Sequence, residues 1–162
     1  MISIYTDGSY SDKIKLGAYA FIILGHENEF IYGEAGRMTD PKWLKSWNIG
    51  PELMACLKGL TKFNEIKDEK NLGDYVQVCH DYEGVAKWAN HSWRAKLDYS
   101  KSYVNKIENF KSESKLNISF KKVKGHSGVK FNELVDKYTR VALKSGSDEP
   151  IRIIFNWVLK VN

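Results

Sequence analysis

Of the 162 residues, 43% are hydrophobic and 28% charged, which excludes a disordered or membrane-embedded chain and fits one domain whose core needs no disulfide staples. The net charge of +5 is unevenly placed: residues 111–130 hold six lysines against one acid, Glu113, and so carry all of it. Such a stretch on a neutral body reads as a footprint for a polyanion, and equally well as a solvated lysine-rich face.

The opening Met1-Ile2-Ser3-Ile4-Tyr5-Thr6-Asp7 has neither the basic nor the apolar block of a signal peptide, and no apolar run reaches the roughly 20 residues that cross a bilayer. Ile2 to Tyr5 alternates as a strand and runs into Asp7-Gly8, a good turn pair. Gly17–Leu24 and Phe30–Tyr32 predict two more strands. The short links through Gly8 and His26-Glu27-Asn28 favour an antiparallel meander of three. Residues 33–49 read as a loop long enough to suspect a function.

A helix opens at Gly50-Pro51, with proline suited to its first turn, and carries Leu53, Leu57, Leu60 and Thr61 on one face. Cys56 on this helix and Cys79 further on have neither metal-finger nor redox spacing. They read as core thiols of a reducing compartment, which makes the cytoplasm the expected location. Tyr75–His80 is a strand ending at Asp81. A short helix through Val85, Ala86, Trp88 and Ala89 follows, then a longer one marked by Tyr99, Tyr103, Val104, Ile107 and Phe110. Leu116, Ile118 and Phe120 alternate as a fifth strand, and Phe131, Leu134, Val135 and Tyr138 mark a last helix. The order βββ-α-β-α-α-β-α predicts an α/β domain: a mixed five-stranded sheet, three antiparallel strands followed by parallel ones, flanked by helices. Polar chemistry in such sheets gathers at the carboxyl ends of strands, where Asp7 and Asp81 are both expected.

Four acids stand out: Asp7, Glu52 in the first turn of its helix, Asp81, and Asp136 inside the last helix. Each has a plain reading. Asp7 starts a turn, Glu52 complements a helix dipole, Asp81 caps the next helix, and Asp136 pairs with Arg140 one turn on. Together they match what phosphodiester hydrolysis requires. Two divalent cations about 3.5–4 Å apart stabilise the attacking and leaving oxygens of an in-line displacement, and Mg²⁺ favours a few carboxylates plus water and phosphate oxygens. Crowded acids repel one another, so a cluster of them needs a reason.

Thr6-Asp7-Gly8-Ser9, Asn48-Ile49-Gly50-Pro51-Glu52-Leu53-Met54-Ala55, Asp81-Tyr82-Glu83-Gly84-Val85, and Val123-Lys124-Gly125-His126-Ser127-Gly128 followed by Asn132-Glu133-Leu134-Val135-Asp136 resemble the type 1 ribonuclease H family, in order, over residues 2–144. The resemblance implies a ribonuclease H-like fold and an endonuclease that cuts the RNA strand of RNA–DNA hybrids, leaving 3′-hydroxyl and 5′-phosphate ends. Asp7, Glu52, Asp81 and Asp136 would hold two Mg²⁺ ions, with Mn²⁺ as a substitute. His126, on a glycine-flanked loop, would assist proton transfer or product release, roles suited by its ordinary pKa near 6.5. By the same resemblance, backbone around Gly8 and Ser9, with Glu52, would meet the 2′-hydroxyls that distinguish RNA, and Asn48 would contact the nucleic acid.

Some members carry a basic protrusion that grips the DNA strand. Here the corresponding Trp88–Lys96 stretch is short, with Lys87, Arg94 and Lys96 beside two tryptophans that read equally as core. Binding is then expected to lean on Lys121, Lys122 and Lys124, and to be salt-sensitive. Residues 1–146 form the expected domain. Residues 147–162 end in an apolar tail whose periodicity fits strand or helix, with β-branched content favouring a strand packed on the same domain. The expected protein is a monomer that binds a hybrid and no membrane. The competing expectation is a catalytically idle nucleic-acid-binding module of the same fold, against which the presence of all four acids argues.

Overall fold

The computed structural model describes residues 1–124 and 130–154. Its centre is a six-stranded mixed sheet in the order β5-β4-β1-β2-β3-β6. The strands are β1 (Ile2–Ser11), β2 (Leu16–Leu24), β3 (Phe30–Met38), β4 (Tyr75–His80), β5 (Asn117–Lys122) and β6 (Ile151–Arg152). β1, β2 and β3 form the antiparallel meander, while β4 and β5 add parallel to β1 and to each other. The helices are α1 (Pro41–Leu44), α2 (Ile49–Ile66), α3 (Gly84–Ala89), α4 (Asp98–Ser112) and α5 (Lys130–Lys144). No helix among the described residues is long and apolar enough to cross a membrane.

Alternation along the strands divides the core in two. On one face Ile4, Phe21 and Ile23 belong to a core with Leu53, Leu57, Leu60 and Phe63 of α2, Val85 and Ala89 of α3, and Tyr103 and Ile107 of α4. On the other, Ala18, Ala20, Ile22 and Leu24 meet Leu134, Val135, Tyr138 and Ala142 of α5. The small alanines let α5 approach the sheet closely. Both cysteines are buried and free, as expected of core thiols.

Three expectations are corrected. Asp7-Gly8 is no turn: β1 continues to Ser11, with Asp7 opposite Ala20 and Gly8 opposite Tyr19. The chain reverses at residues 12–15 instead, where Lys15 adopts a positive φ and its N–H donates to the Ser11 carbonyl at 2.8 Å. Residues 33–49 are not one loop either. β3 runs to Met38, and Asp40 then caps α1 by accepting the Lys42 N–H at 3.0 Å. Finally, Thr61 is exposed rather than part of the inward face of α2.

The sheet also has one strand more than expected. β6 pairs antiparallel with the outer edge of β3, Arg152 opposite Glu34 and Ile151 opposite Ala35. Ile153 is buried against the α5 side and donates its N–H to the Gly33 carbonyl at 2.9 Å. The strand reading of the tail thus holds for Ile151 and Arg152, while residues 155–162 lie outside the described residues.

Candidate active site

β1 is longer than its parallel neighbour allows it to be paired. The β1–β4 register ends at Tyr5 opposite Cys79, so β1 runs on past β4 held only by β2. Asp7 lies on this overhang and Asp81 just follows the end of β4. The two acids therefore share one end of two adjacent parallel strands, the usual place for polar chemistry in such a sheet. Tyr5 packs on Phe131 of α5 at 5.4 Å between ring centroids. Asp7, two residues on, shares that face of the strand, which brings it towards Asp136 of α5.

Glu52 arrives from the first turn of α2. Its approach depends on Gly8, since a Cβ there would overlap the Glu52 backbone nitrogen and the Pro51 carbonyl carbon. Asp7, Glu52 and Asp81 each offer a carboxylate oxygen, all within 4.8 Å of one another. Asp7 and Glu52 are each only 4% exposed. Burial, and then the charges of Asp81 and Asp136, push the Asp7 carboxyl up to about 8. Burial, and then the charges of Asp7 and Asp81, push Glu52 well above the carboxylate range. Asp136 adjoins the trio from α5: it raises Asp7 by charge and hydrogen bond, while its Oδ2 receives the Arg140 guanidinium at 2.5 Å. Asp136 therefore makes the ion pair with Arg140 that its plain reading expected and also lies close enough to raise Asp7.

The donor set is all hard oxygen, which suits Mg²⁺. Glu52 Oε2 is buried with no hydrogen-bond partner among the described residues, so a cation would supply what the fold withholds. Ser9 Oγ on β1 and Asn132 Oδ1 on α5 are likewise buried and unpartnered among the described residues. Asn132 sits one turn before Asp136, inside the last of the quoted motifs, and was expected to have no role of its own.

Of the other expected residues, Asn48 is exposed at the N-cap of α2 and makes no side-chain cap bond. Lys121 and Lys122 lie exposed at the carboxyl end of β5, opposite Cys79 and His80, the end of the sheet that carries Asp81. Lys124 follows them, also exposed. His126 lies outside the described residues. His80 turns away from the cluster: it is 1% exposed, with Nδ1 at 2.9 Å from the Tyr82 carbonyl oxygen. Trp88 and Trp93 are half-buried, in ring contact with each other and with Tyr82, and Trp88 also meets Tyr99. Residues 90–97 link α3 to α4 without a helix.

A mixed sheet that gathers buried carboxylates at the mouth of two parallel strands defines an acid-cluster nuclease of the ribonuclease H-like class. The RNase H family matches residues 1–144. Ribonuclease H of Wolbachia sp. subsp. Drosophila simulans (strain wRi) is 31% identical over 151 residues, covering 88% of this chain and 94% of that protein. Ribonuclease H of Chlorobium limicola is 27% identical over 152 residues, covering 90% and 97%. Among solved structures, RNase H1 from the halophilic archaeon Halobacterium salinarum NRC-1 superposes with a TM-score of 0.71 at 14% identity, covering 90% of this chain and 98% of that one. LC11-RNase H1 in complex with RNA/DNA hybrid gives 0.69 at 20% identity, covering 89% and 100%. The chain belongs to the RNase H family and is a nuclease.

Proposed function

We propose that the protein hydrolyses the RNA strand of RNA–DNA hybrids, leaving 3′-hydroxyl and 5′-phosphate ends, with Asp7, Glu52, Asp81 and Asp136 holding two Mg²⁺ ions or Mn²⁺ in their place. The observation that carries this reading is the trio of buried Asp7 and Glu52 with half-buried Asp81, whose oxygens converge within 4.8 Å while Glu52 Oε2 lacks a partner among the described residues. Bound cations supply the charge that stabilises the attacking and leaving oxygens of an in-line displacement. The chain's own groups place the substrate. Backbone at Gly8 and Ser9, with Glu52, meets the 2′-hydroxyls beside the cut, Asn48 touches the duplex, and Lys121, Lys122 and Lys124 receive phosphates. His126 moves a proton at the departing 3′-oxygen or assists product release. Support comes from relatives named Ribonuclease H and from LC11-RNase H1, solved with a hybrid.

Residues 1–146 form the nuclease domain in this reading and 147–162 an extension of it, and the burial of Ile153 supports packing of the extension's described part on the domain. The protein works as a monomer in the cytoplasm, a setting in which free thiols persist.

The test is incubation with end-labelled hybrid, double-stranded RNA and double-stranded DNA in Mg²⁺, beside Asp7→Asn and beside EDTA. Only the RNA of the hybrid is cut, and the variant and the EDTA arm are silent. Equal cleavage in EDTA ends the proposal.

A further inference from the structure

Trp47 occupies a position at which a bulky residue is at a disadvantage. α1 folds back so tightly on the start of α2 that a Cβ on Gly50 would overlap the Trp43 carbonyl. The reversal between the two helices is made by Trp47, whose φ is 58° and whose N–H donates to the Leu44 carbonyl at 3.1 Å. That left-handed backbone suits glycine or asparagine and strains a branched or bulky side chain. An asparagine is available one position later, yet Asn48 has an ordinary φ of −75°. Burial of the ring does not offset the strain: Trp47 is 68% exposed and makes no aromatic or cation contact among the described residues. Strain retained without a packing return is a mark of functional positions.

The surroundings say what the ring meets. Trp47, Tyr10, Asp12 and Asn48 line an open hollow of about 420 Å³. The hollow lies beside the first turn of α2, which carries Glu52: the Asn48 carbonyl accepts the Glu52 N–H at 3.1 Å, and Tyr10 stands on β1 three residues beyond Asp7. A duplex in this groove keeps its bases stacked, so a ring on the protein surface meets the sugar edges of the shallow minor groove. An indole offers a flat apolar face to sugar C–H groups and an N–H donor at its rim.

We propose that Trp47 is a further substrate contact, its exposed indole packing on a sugar of the hybrid duplex beside the cut. The inference rests on the hybrid-nuclease reading above and adds a residue that the family motifs quoted earlier do not include.

The experiment compares wild type with Trp47→Asn and Trp47→Phe. Hybrid affinity is read by anisotropy of a dye-labelled hybrid in EDTA, steady-state kinetics are run in Mg²⁺, and thermal melting is followed for each protein. Asparagine relieves the backbone, so Trp47→Asn melts no lower than wild type, while its Kd and KM rise roughly tenfold with kcat within twofold. Trp47→Phe falls between the two. Wild-type cleavage with an unchanged Kd and KM in Trp47→Asn overturns the inference and leaves the nuclease reading standing. A wild type that neither binds nor cuts the hybrid overturns both.

Discussion

Asp136 and Arg140 stand one turn apart on α5 and form an ion pair of 2.5 Å, while the same Asp136 carboxylate raises the pKa of Asp7. Arg140 thus places a positive charge at the rim of a negative cluster, in direct competition with any cation drawn there. The pair is partly solvated, the side chains being 60% and 29% exposed, so it contributes about 0.3–0.5 kcal/mol to stability at most. Its larger effect is on charge. Arg140→Ala is expected to melt within a degree or two of wild type and to bind Mg²⁺ roughly two- to fivefold more tightly by isothermal titration. Unchanged affinity would show that the guanidinium does not compete.

The acid cluster opposes folding when no cation is bound, and its pH dependence has a definite sign. In the folded chain Asp7 keeps its proton up to about pH 8; in the unfolded chain it loses it near the ordinary carboxylate value of about 4. Between these limits the native state binds more protons than the unfolded one, so stability falls as pH rises. The contribution is fully present below about pH 4 and gone above about 8. Glu52, also raised, acts in the same direction. Asp7→Asn has no proton to lose in that window. In EDTA at pH 8.5 it should melt above wild type by on the order of 5 °C, and the gap should close towards pH 4–5. Mg²⁺ should raise the wild-type Tm at pH 8.5 more than that of the variant. A variant no more stable than wild type at pH 8.5 would mean that the carboxylates do not repel as argued.

The order of the elements was legible because hydrophobic periodicity is a local signal, whereas the convergence of Asp7, Glu52 and Asp81, a tertiary property, was expected only from the resemblance to the ribonuclease H family. What was lost was decided by tertiary demands. Asp7-Gly8 has turn chemistry, yet Gly8 is there to let the α2 backbone lie on β1. Residues 33–38 look like a loop because Gly33, Glu34, Gly36 and Arg37 break strand alternation. In the folded chain Glu34 accepts from Tyr19 Oη at 2.6 Å and Tyr32 Oη at 3.0 Å, and Arg37 donates to the Ala142 and Leu143 carbonyls at the end of α5. These polar residues fit a strand because they find partners across the fold, Glu34 on Tyr19 of β2 as well as on Tyr32 of its own strand, and Arg37 at the end of α5. Trp47 carried no sequence signal, since its interest lies in a backbone angle.

Lys121 and Lys122 offer a test of where the duplex runs. Successive residues of a strand face opposite sides of the sheet, but β5 is an edge strand and both lysines are exposed at its carboxyl end. If each contacts a phosphate, Lys121→Ala and Lys122→Ala should weaken hybrid binding without regard to sequence. Each should also reduce the slope of log K against log salt by about 1. Measuring Kd between 50 and 200 mM salt, about the range over which such contacts show, distinguishes the two positions. A slope unchanged in either variant removes that lysine from the interface.

Gly8 couples the fold to the site most directly. Any side chain there meets the backbone of Pro51 and Glu52, and backbone cannot step aside as a flexible side chain would. Gly8→Ala must therefore push the first turn of α2 off β1, at a cost of roughly 1–3 kcal/mol for an overpacked contact. The displaced turn carries Glu52, so the carboxylates would no longer converge. Two readouts should fail together: Tm falls by several degrees, and the Mg²⁺-induced rise in Tm shrinks. A control that loses stability elsewhere without touching the first turn of α2, Ile107→Val in the core under α4 at a cost of about 0.5–1.5 kcal/mol, should lower Tm while keeping the Mg²⁺ response. If Gly8→Ala behaves like that control, the glycine serves packing alone and the placement of Glu52 does not depend on it.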